Sequence, residues 1–382
     1  MGTPTFYEFF AGGGMARAGL GPGWSCLFAN DIDVKKGAGY QANWGSDCLR
    51  LADVASLDAS DLPGHASLAW ASFPCQDLSL AGAGAGLDGA RSGTFWPFWK
   101  LIQALGRKGR APSLVVLENV CGALSSHGGR DFAAIGAALE KSYRFGAVVV
   151  DAVLFVPQSR PRLFVVGVRN DVTIPPGLMS PQPDGRWHPA RLAAVFGQLS
   201  RRSQKNWIWW TLPAPPERQS VFSELVDQVP QGVAWHTSAE TRRLLSMMSA
   251  ANRLKVKTAM LAGGRMVGSA YKRTRKDVAG RSVQRVEVRF DGIAGCLRTP
   301  AGGSSRQILI IVEGESVRSR LLSPREAARL MGLPDSYILP ENYNDACHLA
   351  GDGVAVPVVR FLARNLLEPV LAAGEGKGNR AA

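Results

Sequence analysis

The sequence predicts an α/β protein: a Rossmann-like, mostly parallel sheet with helices on both faces, joined to a smaller irregular domain. Three observations predict it. Before Asn170, short apolar runs alternate with stretches whose apolar residues recur every three or four positions, the pattern of a parallel sheet crossed by helices. A glycine triplet, Gly12 to Gly14, follows the first run and precedes a small-residue stretch, as in doubly wound folds that bring a ligand to a helix start. Beyond Asn170 the texture turns to Pro, Trp, Arg and Gly, as in "IPPGLMSPQPDGRWHP" and "KVKTAMLAGGRMVGSAYKRTRK".

In chain order the strand candidates are "TFYEFF" at 5, "SCLFAND" at 25, "SLAWASF" at 67, "SLVVLENV" at 113, "FGAVVVDAV" at 145 and "RLFVVGVR" at 162. Helical spacing marks "TFWPFWKLIQAL" at 94 and "DFAAIGAALEKS" at 131. The last two strands are joined by "FVPQSRPR", which leaves no room for a helix, so they are expected to run antiparallel. A helix resumes in "LLSPREAARLMGLP": Ser323 can cap it, Pro324 suits its first turn, Glu326 stands three beyond the cap and Gly332 ends it. "VAVPVVRFLARNLLEPVLAA" forms the last helix, with Pro357 in its first turn. The expected domains are 1–174, 175–320 and a return to the first domain over 321–372, with 373–382 a disordered tail.

The 382 residues carry a formal charge of +13. Residues 181–330 hold 25 Lys and Arg against 11 Asp and Glu, so the excess lies in one segment of an otherwise neutral chain. That distribution is the footprint of a phosphate-backbone partner. Six scattered cysteines, at 26, 48, 75, 121, 296 and 347, form no C-x-x-C pair. Neither a zinc site nor a disulfide framework is expected, and a reducing cytoplasm fits. No apolar run approaches the roughly 20 residues that span a bilayer, and "MGTPTFYEFF" lacks the basic n-region of a signal peptide.

The chemistry-bearing residues cluster at predicted strand exits. The glycine turn lacks a following Lys-Ser/Thr, which excludes a P-loop. Asp31, with Asp33 its rival, ends the second strand, where doubly wound folds hold a ribose, and Asp53 could accept from an adenine amino group. Cys75 follows Pro74 at another strand exit, Glu118 and Asn119 end a third, and Arg160 and Arg162 lie between two strands. A thiol, a carboxyl and guanidinium groups converging there suit nucleophilic attack on a ring that must be protonated as it is attacked.

These pieces, in order, resemble the cytosine-C5 DNA methyltransferases of the bacterial type. "FFAGGG" resembles the family's first glycine motif, "AND" and "ADV" its ribose and adenine motifs, and "SFPCQDLSLAG" its nucleophile motif. "ARSGTFW", "LENV", "PQSRPR" and "LLSPREAARLMGLP" match the motifs that follow. The resemblance implies that Cys75 attacks C6 of a cytosine flipped from double-stranded DNA, that Glu118 holds N3 and the exocyclic amine, and that Arg162, supported by Arg160, steadies the charge. It implies S-adenosylmethionine as cofactor, with S-adenosylhomocysteine as product and no metal. The cofactor would meet Phe10, Ala11, Gly12, Gly14, Asp31, Ile32, Asp53 and Pro74, and, near the chain's end, Asp352 and Val354. DNA would meet Gln76, Ser79 and Arg91 beside the nucleophile, and Arg298 and Thr299 in the basic segment. A monomer in a bacterial or phage-borne cytoplasmic setting is expected.

The chain departs from the family pattern at Met15, at Asp31 in place of the commoner glutamate, and at Gly351-Asp352-Gly353 in place of Gly-Asn-Ser or Gly-Asn-Ala. The residues leave open the same chemistry on RNA, transfer from a modified cofactor, and a non-catalytic DNA-binding regulator. The tryptophans at 207, 209 and 210 are read as core, and "YKRTRK" at 271 as phosphate-contacting or a solvated loop.

Overall fold

The computed structural model describes residues 2–74, 87, 92–277, 279–299 and 306–378. It divides into two compact units: Met1–Asp151, Pro161–Pro215 and Val356–Ala382 form the first, and Ala152–Arg160 with Pro216–Ala355 the second. By compactness, then, residues 175–215 go with the first unit and 321–355 with the second.

The first unit is built on seven strands: β1 (Thr5–Phe9), β2 (Ser25–Asp31), β3 (Leu49–Leu51), β4 (Leu68–Ala71), β5 (Leu114–Val120), β6 (Tyr143–Asp151) and β7 (Pro161–Arg169), in the order β3-β2-β1-β4-β5-β7-β6. β1 to β5 run parallel, and β7 lies antiparallel to both β5 and β6. Strands such as β4 and β5 are nearly continuous apolar runs because helices cover both faces of the sheet. The strand order reverses between β1 and β4, so a crevice opens at their carboxyl ends, where open α/β sheets bind ligands.

Helices α1 (Met15–Leu20), α2 (Val34–Trp44), α3 (Phe95–Arg107) and α4 (Arg130–Leu139) follow the early strands. α3 buries Phe95, Phe98, Trp99, Ile102 and Leu105, the three- and four-residue spacing read from the sequence, and Phe98 meets Phe9 of β1 edge-on at 5.0 Å. Asp33 starts α2 by accepting from the N–H groups of Lys35 and Lys36. A short pair, β8 (Met179–Ser180) and β9 (Trp209–Trp210), with α5 (Ala190–Phe196) and α6 (Arg201–Lys205), packs onto the β6 edge through Trp207, Phe145 and Phe196. Trp209 and Trp210 are buried, and Trp207 packs on the same aromatic cluster, in keeping with their reading as core.

The second unit holds α7 (Ser238–Ser246), α8 (Ala250–Leu261) and an antiparallel sheet of β10 (Arg265–Lys276), β11 (Ser282–Arg289), β12 (Ile308–Glu313) and β13 (Ser316–Leu321), in the order β11-β10-β12-β13. "YKRTRK" is strand rather than loop: it ends β10, where Arg273 and Arg275 both pair with Glu287 across on β11. α9 (Pro324–Leu330) carries the capping box between Ser323 and Glu326, and Gly332 takes the left-handed conformation just beyond it. α10 (Tyr343–Asp352) closes this unit.

In the first unit again, α11 (Val356–Leu362), a π-helical turn over Ala363–Leu367 and α12 (Glu368–Gly378) form the final helix. It runs to Gly378, past residue 373 where a disordered tail was expected, because a packed segment ending in Val370 nucleates a helix that alanines 372 and 373 readily extend. Among the described residues no helix is long and apolar enough to cross a membrane.

Candidate active site

The glycine turn begins at the end of β1. Phe10 has φ of 58°, a left-handed value that is costly for a bulky residue and marks a functional turn when it persists. Gly12 and Gly14 share the left-handed region, at 54° and 75°. The Ala11 N–H bonds the Asn30 carbonyl at 2.9 Å, and the Gly12 N–H bonds Asp31 Oδ2 at 2.7 Å. Asp31 is buried and also accepts the Asp33 N–H on Oδ1 at 2.8 Å. It therefore ties the turn to the β2 exit, and each oxygen keeps a lone pair for another donor. Of the two acids left open by the sequence, Asp31 faces the turn, while Asp33 is committed as the α2 cap.

Ile32 stands beside Asp31 with 66% of its surface exposed, an apolar face available to a flat ring. Asn30 donates to the carbonyls of Arg50 and Ala52, which brings the β3 exit and exposed Asp53 next to β2. Met15, the first departure from the pattern, is buried at the start of α1.

Glu118 lies two residues before the end of β5, and Arg162 is the second residue of β7. Val120 lies opposite Arg162 in the antiparallel register, so Glu118, two residues back, projects from the same face. Arg162 Nε sits 3.3 Å from Glu118 Oε1, with the two side chains 15% and 8% exposed. A desolvated carboxyl held by a guanidinium is a preorganised group for a polar ring edge. Next to it, Asn119 donates to the Phe73 carbonyl at 3.1 Å, fixing the chain just before Pro74. Cys75, Gln76, Ser79 and Arg91 lie outside the described residues.

Arg160 is placed differently from the sequence expectation. It is 1% exposed, and its guanidinium donates to the carbonyls of Leu297 (3.2 Å), Gly351 (2.7 Å) and Gly353 (2.7 Å) and to Cys296 Sγ (3.5 Å), all within the second unit. A guanidinium bonded to three main-chain carbonyls positions loops, a role different from the direct electrostatic support expected of it. Gln158, buried, does the same, accepting the Leu297 N–H and donating to the Leu330 carbonyl. A Cβ on Gly351 would crowd the Arg298 carbonyl carbon, 3.1 Å away. Asp352, at the end of α10, is exposed, Val354 is buried, and Arg298 is exposed with its guanidinium 5.6 Å from the Tyr271 ring. Thr299 is half-buried.

Glu8, buried in β1, and Gln158 are two residues that the sequence did not single out, and Asn119, expected only at a strand exit, serves as a tether. A lone acid inside the apolar run "TFYEFF" was the available signal for Glu8. Among the described residues no group of side chains could hold a metal ion.

A family model described as C-5 cytosine-specific DNA methylase matches residues 4–368. The type II methyltransferase M.NlaX of Neisseria lactamica is 28% identical over 376 residues, covering 97% of this chain and 98% of that one. M.HhaI of Haemophilus parahaemolyticus is 24% identical over 364 residues, covering 94% and 93%. Among solved structures, the S. pombe Dnmt2 methyltransferase superposes with a TM-score of 0.58 at 18% identity, covering 96% of this chain and 99% of its own. The Entamoeba histolytica methyltransferase EhMeth gives 0.61 at 15%, covering 97% and 99%. At these identities the structural likeness speaks for the fold.

Proposed function

The chain belongs to the C-5 cytosine-specific DNA methylase family, and from that premise we propose that it is a DNA (cytosine-5-)-methyltransferase using S-adenosylmethionine. The observation that carries the proposal is the Glu118–Arg162 pair at the carboxyl edge of the sheet, beside the strand exit that leads through Phe73 and Pro74 to Cys75.

The residues at the glycine turn suit the cofactor. Asp31 and Asp53 are acceptors for sugar hydroxyls and an amino group, Ile32 offers an apolar face, and the turn around Phe10, Ala11, Gly12 and Gly14 lets a ligand approach the backbone. Pro74 would border the methyl-bearing end, and Asp352 and Val354 are further cofactor contacts that the family resemblance implies. When bound, S-adenosylmethionine supplies an electrophilic methyl group and departs as S-adenosylhomocysteine.

The chemistry of the chain's own residues follows. A base stacked in a duplex hides its ring atoms, so the cytosine must be flipped out, at a cost of a few kcal/mol. The Cys75 thiolate adds to C6, forming a C–S bond, and the displaced electron pair moves toward C5 and N3. Glu118 holds N3 and the exocyclic amine, while Arg162 fixes its carboxyl. With C5 methylated, loss of the C5 proton to water restores the ring double bond and expels the cysteine sulfur. Arg160 and Gln158 act at a distance, by fixing the backbone around Leu297 and Gly351. Residues 175–320 would recognise the target on double-stranded DNA, with Arg298 and Thr299 on the backbone, and Gln76, Ser79 and Arg91 meeting DNA near the flipped base. We propose a monomer as the working form.

The test is a duplex containing 5-fluorocytosine, incubated with the protein and S-adenosylmethionine. Because fluorine cannot leave as a proton does, the wild type should remain covalently joined to DNA on a denaturing gel. Cys75→Ser should give no adduct, and Glu118→Gln should slow methylation of ordinary DNA by about 10²–10⁴. Methylation by Cys75→Ser at the wild-type rate would overturn the proposal.

A further inference from the structure

Glu8 lies in β1, at the middle of the sheet, with 1% of its surface exposed. One carboxyl oxygen accepts the Arg17 N–H of α1 at 3.3 Å. The other, Oε2, is buried with no hydrogen-bond partner among the described residues. The α1 helix starts at Gly14, which has no side chain to cap it. The open N–H groups of a first helical turn need an acceptor, and the strand beneath supplies it. The carboxyl thus reaches the helix at the point where the glycine turn feeds into it.

We propose that Glu8 is a positioning residue of the glycine turn, holding the first turn of α1 and coupling occupancy of the turn by a positively charged cofactor to release of a proton. The inference rests on the reading of this turn as the S-adenosylmethionine site. Burial pushes the Glu8 carboxyl up to about 8, against the pull of the Arg17 and Ala16 N–H groups and the Arg17 charge. The titratable groups that face it are Arg17 on α1, Asp31 and Cys26 on β2, and Tyr40 on α2. Arg17 is itself engaged, donating to the Tyr40 hydroxyl at 2.9 Å and lying over the Trp44 ring. Arg17 therefore does not fully compensate a carboxylate at position 8. A sulfonium brought to the turn favours the ionised carboxylate, so its binding expels the proton. A neutral thioether does so much less.

The sign follows from linkage. A carboxyl that holds its proton more tightly when folded adds stability below its unfolded value of 4.5, and that stability is lost as pH rises to about 8. Binding of a cation runs the other way, strengthening as pH rises through the same upper value.

The experiment is calorimetric titration of the intact protein with S-adenosylmethionine and with S-adenosylhomocysteine across the neutral and mildly alkaline range. Glu8→Gln, which keeps an acceptor for the Arg17 N–H but carries no charge, serves as the comparison and cancels the ligands' own titration. From neutrality to one unit above the Glu8 midpoint, the wild-type preference for the sulfonium should rise at least about threefold relative to the variant. In the protein without ligand, the midpoint of thermal unfolding should fall more steeply with pH in the wild type than in Glu8→Gln. Glu8→Ala should lose both the acceptor and the charge, with Glu8→Asp restoring part of the pH response. The proposal is overturned if Glu8→Gln reproduces the wild-type pH profile for both ligands. Failure of either protein to bind S-adenosylmethionine at any pH would instead remove the reading of the turn as the cofactor site.

Discussion

Replacing Arg160 by alanine leaves the buried carbonyls of Leu297 and Gly351 and the partly buried carbonyl of Gly353 without the donors they have in the wild type. Each buried acceptor deprived of its partner costs roughly 1–3 kcal/mol. Water entering the vacated volume would recover part of this, so a loss of about 3–6 kcal/mol is expected. Arg160→Lys keeps a charge but presents a single ammonium instead of a planar fork. It can reach one or two of these carbonyls, and about half the loss should remain. Urea denaturation followed by tryptophan fluorescence reads the difference directly. With a slope near 3 kcal/mol per molar, the alanine variant should unfold about 1–2 M earlier. Methylation by the lysine variant, assayed where it is still folded, should fall through weakened DNA binding. An alanine variant as stable as the wild type but slow in the chemical step would refute the argument, because it would make Arg160 a group that acts on the reacting base.

Two further substitutions test the local arguments. Gly14→Ala drives a Cβ into Trp44 Nε1 at a φ of 75°. It should cost about 1–3 kcal/mol and weaken S-adenosylmethionine binding, seen as a lowered thermal midpoint and a weaker calorimetric isotherm. Glu326→Gln turns an amide toward the Arg320 guanidinium and the N–H groups of Ser323 and Asp227, in a pair with 0% exposure on both sides. The buried cation left without its counter-ion should destabilise the protein by about 3–5 kcal/mol, measured by the same urea titration.

The parts of the fold legible in the sequence are those where burial leaves a uniform mark. β4 and β5 read as strands because both faces are covered and nearly every residue must be apolar. The antiparallel β6–β7 pair was legible because the intervening residues are too few for a crossover helix. β3, "LRL", left no such mark: three residues on a sheet edge need little apolar character. The site showed the same division. Asp31 and Glu118 end apolar runs, so their place at the sheet's carboxyl edge follows from the runs themselves. Arg160 was grouped with Arg162 because both lie between two strands in "QSRPR". In fact β7 begins only at Pro161, and Arg160 lies in the stretch before it, where no strand alternation applies. Asn119 stood out only as a strand-exit residue, since a side chain that tethers a remote carbonyl has no local pattern.

The buried charges differ in how completely they are partnered, and that difference separates fixed groups from responsive ones. Both oxygens of Glu326 accept two donors each, from Arg320 and from the main chain of Ser323 and Asp227. A carboxylate so enclosed is committed to holding α9 to its neighbours. Glu8 has one main-chain bond and one oxygen without a partner among the described residues. Its desolvation is relieved by taking up a proton instead. The two acids are almost equally inaccessible to water, and burial pushes the second one's carboxyl up to about 8. A pH response of this protein should therefore trace to the sheet beneath the glycine turn. Glu8→Gln should flatten it, whereas conservative changes on the exposed face of β10 and β11 should leave it in place.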